Sequence, residues 1–141
     1  MKKFEFTLSS VLRIKYSLEK QVKQQMAEAI SRRNLCQEEI DKIVLLKEEA
    51  RKNNNSFTAY EYVIFSRYYA DLENKRKAKV IELHKIEEEI ETIRKELLKI
   101  TEERKVLEKL KEKQYEEYLL ELNKEQDKII DDMLTYNITI A

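Results

Sequence analysis

The chain has 141 residues, of which 40% are charged and 42% hydrophobic, with neither glycine nor proline. Lys plus Arg balance Asp plus Glu at 28 each, so the basic excess that drives counterion release from nucleic acid is missing. A Glu/Lys/Leu/Ile-rich composition without turn-forming residues is that of long helices and coiled coils, not of a compact globule.

The chain opens with an alternating apolar lead-in, Phe4, Phe6 and Leu8, after Lys2 and Lys3. No apolar core segment follows the lysines, so the start does not read as a signal peptide. A first helix is expected from about Thr7 to Arg51, with Thr7, Ser9 and Ser10 as N-cap candidates. Its early apolar positions are Leu8, Val11, Leu18 and Val22. From Val22 a 3.5-residue repeat runs through Met26, Ala29, Cys36, Ile40, Ile43 and Ala50, with Arg33 and Lys47 at two seam positions. The longest apolar run, Ile43 to Leu46, is far below the roughly 20 residues that span a bilayer.

The break comes at "NNNSFTAYE", residues 53–61. Consecutive asparagines favour turns, and Thr58 with Glu61 forms a capping box that marks a new helix start. Half of the chain's aromatic residues then fall together: Phe57, Tyr60, Tyr62, Phe65, Tyr68 and Tyr69, followed by Leu72. One helix face cannot bury them all. The reversal and aromatic segment, about 52–72, is read either as a short helix capping the hairpin or as rings exposed for a partner.

A second long helix is expected from about Glu73 to Met133, with the seam Leu83, Ile86, Ile90, Ile93, Leu97, Ile100 and Leu107. Arg104 and Lys111 stand at further seam positions. Beyond a register shift near Leu110, Tyr115, Tyr118, Leu122, Ile129 and Met133 continue the stripe. Glu38–Lys42, Glu48–Lys52, Glu73–Lys77 and Glu91–Lys95 are spaced for helix-stabilising ion pairs. The expected fold is all-α, a single antiparallel two-helix coiled-coil hairpin over residues 1–141. A helix of roughly 45 residues would be about 70 Å long.

Nothing in this pattern carries out a reaction, and no cofactor or metal is expected. The one histidine, His84, has no ligand partner at helical spacing, and the one cysteine, Cys36, falls on the apolar stripe. Asp131 and Asp132 diverge on a helix. The seam charges Arg33, Lys47, Arg104 and Lys111 are read as register-setting or snorkelling side chains. The basic run Lys75, Arg76, Lys77 and Lys79 is read as a solvated face, with a nucleic-acid-binding rod as the weaker alternative.

The F-x-F-x-L start followed by Val11-Leu12 and a charged helix resembles the amino terminus of the FliJ family of flagellar export proteins. So does residues 104–133, "RKVLEKLKEKQYEEYLLELNKEQDKIIDDM", although many relatives close that segment with Asp-Glu where Asp131-Asp132 stands here. The order and length of helix, break and helix match as well. The resemblance implies a cytoplasmic, non-enzymatic stalk of the flagellar type III export apparatus, folded like the central stalk of rotary ATPases. It implies association with a hexameric FliI-like export ATPase and an FlhA-like export-gate protein, and handling of export chaperones. On that basis Phe4, Phe6, Leu8, Leu122, Ile129 and Met133 are candidate contacts for the ATPase. Tyr60, Tyr62, Phe65, Tyr68, Tyr69 and Leu72 are candidates for the gate. A coiled-coil spacer or homodimeric scaffold without an ATPase partner is the alternative.

Overall fold

The computed structural model describes residues 2–53 and 57–140. Two helices account for nearly all of them, α1 from Ser9–Lys52 and α2 from Ala59–Ile140. The asparagine turn at positions 54 and 55 lies outside the described residues. α2 starts where the capping box predicts. The Thr58 amide donates to Glu61 Oε2 and the Glu61 amide to Thr58 Oγ1, each at 3.3 Å, satisfying two backbone donors that a helix start leaves orphaned. The aromatic segment is therefore the first part of α2, not a separate short helix, and the helix does not wait for Glu73.

α1 begins differently from expectation. The Leu12 amide donates to Leu8 O at 2.9 Å and the Ser9 amide to Phe6 O at 3.1 Å, so Leu8, not Thr7, Ser9 or Ser10, occupies the N-cap position. The incoming backbone turns on itself, and the Thr7 hydroxyl lies 3.4 Å from the Gln114 side chain.

The chain divides into two compact units, residues 21–97 and residues 1–20 with 98–141. In the first, α1 and α2 run antiparallel: Arg32 pairs with Glu89, Glu39 with Lys79 and Lys47 with Glu73. The buried seam follows the heptad spacing. Val22, Ala29, Cys36 and Ile40 come from α1, and Leu72, Ile86 and Ile93 from α2, with Leu83 and Ile90 packed beside them. The half-buried positions Phe65, Tyr69, Arg76 and Lys79 carry the same spacing back into the aromatic segment.

In the second unit the helices again run antiparallel, with Thr7 beside Gln114, Lys15 paired to Glu103 and Glu19 to Arg104. Here the α1 stripe corrects the expected one. Leu8, Val11 and Leu18 are exposed, while Leu12 is buried, Lys15 half-buried and Glu19 only 6% exposed. These three, with Leu8 before them, hold the heptad positions that lead into Val22. Polar side chains sit on this seam because α2 offers them opposite charges. Arg104 binds Glu19 across the seam and Glu108 one turn along its own helix, and it lies over the Tyr16 ring. The seam reading of Arg104 holds, as does that of half-buried Lys47, whereas Lys111 is exposed.

Two of the expected ion pairs are also replaced. Glu73 and Glu91 are taken by Arg76 and Arg94 instead of Lys77 and Lys95, each guanidinium donating through two nitrogens to the two carboxylate oxygens. The planar fork of arginine matches a carboxylate in a way the point charge of lysine does not.

Candidate partner-binding surfaces

The first surface belongs to the unit that holds both ends of the chain. Residues 2–6 form no helix; they lie as an extended strap against α2. Phe4 meets Tyr115 edge-on, with ring centroids 5.1 Å apart, and Tyr118 in a tilted contact at 5.6 Å. The Tyr118 hydroxyl donates to the backbone oxygen of Lys2 at 2.7 Å. Phe6 is buried, so the alternation of the lead-in has one meaning: its two rings hold the strap on the helix, while Leu8 stays exposed at the turn into α1.

α2 continues past the strap. Leu122 is half-buried, and every residue from 123 to 139 is exposed. Among the described residues nothing covers this segment, yet it carries Ile129, Ile130, Met133, Leu134, Tyr136 and Ile138, all more than half exposed. Leu122, Ile129, Met133 and Tyr136 keep heptad spacing along it. Their flanks are acidic, with Glu121, Glu125, Asp127, Asp131 and Asp132 against Lys124 and Lys128. Of the candidate residues, Phe4 and Leu122 border one cleft, Phe6 is buried at the root of the strap, and Ile129 and Met133 extend the stripe beyond it. Sequence reasoning counted Tyr115 and Tyr118 as stripe and missed their role as the strap's seat. Two tyrosines at helical spacing answering two phenylalanines at alternate spacing was the available signal.

The second surface is the aromatic start of α2, in the other unit. Phe65 is its hub, 5.6 Å from Phe57, 6.4 Å from Tyr62 and 5.7 Å from Tyr69 between ring centroids. Leu72 is buried and Phe65 and Tyr69 half-buried on the seam, whereas Tyr60, Tyr62 and Tyr68 face outward, Tyr60 being 76% exposed. A shallow cleft of about 340 Å³ lies between Ala50, Phe57, Ile64, Phe65 and Tyr68. The cluster thus does two things at once: some rings pack locally, and others stand open.

Beside it, Lys47 reaches over the Tyr69 ring at 4.8 Å and binds Glu73, which Arg76 also holds. The hydrogen bonds from Arg76 and then Lys47 hold the Glu73 carboxyl at about 2, against an ordinary 4.5. A carboxyl depressed on folding stabilises the fold fully above its unfolded pKa, and that contribution is lost as pH falls toward the folded one. Glu73→Gln should therefore lower the urea midpoint at pH 7, with the gap to the parent narrowing between pH 4.5 and 2. An equal gap at both pH values would mean that the pair contributes through packing and not through charge.

His84 is an exposed side chain 3.0 Å from Glu88 one turn along α2. Cys36 is buried, its thiol donating to Lys79 O at 3.4 Å, and burial pushes its pKa up, away from the thiolate a nucleophile needs. Among the described residues no group of His, Cys, Asp and Glu could hold a metal ion. No described helix is long and apolar enough to cross a membrane. The basic run is partly neutralised, with Arg76 on Glu73 and Lys79 on Glu39 and Glu82.

No curated protein and no solved structure matches the chain. A family model described as "Flagellar FliJ protein" matches residues 4–139, from the strap through the exposed end of α2. The chain belongs to the FliJ family, and its role lies in flagellar protein export.

Proposed function

We propose that this protein is a non-enzymatic stalk and adaptor of the flagellar type III export apparatus, working in the cytoplasm and reaching the cell membrane only through its partners. The segment that carries the chain termini docks onto the hexameric export ATPase. Ile129 and Met133 supply the apolar contact there, with Leu122 and Leu8 at its border and Phe4 and Phe6 holding the strap alongside. The aromatic start of α2, with Tyr60, Tyr62 and Tyr68 outermost, meets the export gate. Export chaperones are further clients of the same surfaces.

The observation that supports this reading best is the uncovered apolar stripe at the end of α2. Monomeric proteins rarely leave a contiguous row of large apolar side chains in water without a partner for it. A helix face with anchors at heptad spacing is suited to another helix or a groove. Its mechanism is associative: the protein binds, orders the ring and links it to the gate, and the chemistry stays with the ATPase.

The test is a titration of the purified protein into the export ATPase of the same organism, following ATP turnover and ring assembly together. Saturable stimulation with ring formation is the expected result. No binding and unchanged turnover would remove the ATPase role. Concentration-dependent self-association through the α2 stripe in its place would favour the homodimeric scaffold.

A further inference from the structure

The strap and the open stripe occupy the same face of α2. Tyr115, Tyr118 and Leu122 lie under or beside the strap, and Ile129 follows Leu122 one heptad on, with Met133 four residues further. A partner helix laid on Ile129 and Met133, and continuing along the stripe, runs into Phe4. We infer that the strap, Lys2 to Phe6, is a displaceable cover that competes with the docking partner for Tyr115, Tyr118 and Leu122. This rests on the reading that the end of α2 is a docking site, and concerns how that site is regulated.

Three features of the strap make it displaceable. It has no helical hydrogen bonds of its own over residues 2–6, and its one backbone bond, from the Ser9 amide to Phe6 O, lies at its root beside α1. Its polar ties to α2 are few: the Tyr118 hydroxyl on Lys2 O and the long 3.4 Å approach of Thr7 to Gln114. It is also incompletely seated. A cleft of about 750 Å³ remains between strap and helix, bordered by Lys2, Lys3 and Phe4 on one side and Glu117, Glu121 and Leu122 on the other. Tyr115 keeps 46% of its surface exposed although Phe4 lies against it. Holding an extended segment in place costs backbone entropy for every residue ordered, which offsets much of what two phenylalanines contribute by burial.

The strap also describes what replaces it. It presents two lysines to the acidic rim of Glu117, Glu121 and Glu125 and sets an aromatic ring on the tyrosines beneath. The competitor that fits is an amphipathic helix of the ATPase with Lys or Arg along the edges of an apolar stripe. Heptad continuity of the stripe supplies the helix, and the carboxylates of the rim supply the sign of its charge.

Covering a site lowers the apparent affinity by the fraction of molecules in which the site is open. The export ATPase of the same organism is titrated with the full-length chain, with Phe4→Ala and with Lys2→Glu/Lys3→Glu. In parallel, para-fluorophenylalanine at position 4 reports the stacked and released states by fluorine NMR. Both variants should bind about fivefold more tightly than the parent, as the open fraction approaches one. The fluorine signal should move to the released position on adding ATPase, and in part on adding salt, which screens the lysines from the rim. The charge variant alters only exposed residues, so it answers even where Phe4→Ala disturbs the local fold. Weaker or unchanged affinity in both variants, or a fluorine signal that stays at the stacked position in the complex, overturns the competing strap and makes it a contact. Absence of binding by every form removes the docking site itself, and the competition with it.

Discussion

Ile93→Asp should unfold the unit built from residues 21–97, in a urea melt followed by far-ultraviolet circular dichroism at neutral pH. Ile93 is 8% exposed, on a seam only two helices thick, so no second layer of packing compensates for its loss. Truncating a buried isoleucine to alanine already costs about 2–5 kcal/mol, through lost transfer energy and the cavity left behind. The aspartate adds a carboxylate where water reaches poorly. The total is comparable with the whole stability of an ordinary domain, about 5–15 kcal/mol. Ile81→Asp is the control: Ile81, in the same unit, is 60% exposed, and the same chemistry there should shift stability by no more than about 0.5 kcal/mol. If Ile93→Asp melts like the parent, the heptad seam does not hold this unit together.

The second large effect concerns the end of α2. Ile129→Asp/Met133→Asp should leave the urea midpoint unchanged, because both side chains already face solvent. The same double change should weaken binding to the export ATPase by at least about 100-fold, and abolish stimulation of turnover at micromolar concentration. Truncating a central apolar anchor of an interface costs about 2 kcal/mol or more, and two charges placed against an apolar groove add to that. A titration with the double variant checks it, with Lys124→Ala as an exposed change off the stripe. Stimulation that survives the double change would move the ATPase contact away from the end of α2.

From Val22 onward the seam was open to reading from the sequence alone. Ala29, Cys36, Ile40, Ile86, Ile93 and Ile100 repeat at intervals only a packed helix pair requires, and all are buried. The capping box fixed the start of α2 for a similar reason, since its two hydrogen bonds involve residues three apart and need nothing distant. What escaped depended on pairing across the chain. Glu19 reads as a surface residue until Arg104 stands opposite it, so the early α1 stripe was placed on Val11 and Leu18 instead of Leu12, Lys15 and Glu19. The aromatic segment looked foreign by composition, yet Phe65, Tyr69 and Leu72 keep the same heptad spacing as Leu83 and Ile86. The strap was legible as an alternation grouped with Leu122, Ile129 and Met133, and not as a contact with Tyr115 and Tyr118, because nothing local says which rings it will meet. Where α2 outruns its neighbours was likewise hidden, for stagger is a property of two segments and not of one.

That stagger has an origin in the Glu19–Arg104 pair. A run of isoleucines and leucines at heptad spacing is nearly degenerate: shift one helix by seven residues and each apolar side chain finds an equivalent neighbour. The pair breaks that translational symmetry. Slipping one way sets Glu19 against Leu97 and Arg104 against Leu12, and slipping the other sets Arg104 against Met26. Either error strands a charge in a seam where stranding is costly. The two side chains therefore act as an indexing pin, and the length of helix left protruding at residues 123–139 is dictated from inside the unit, well away from the residues it displays.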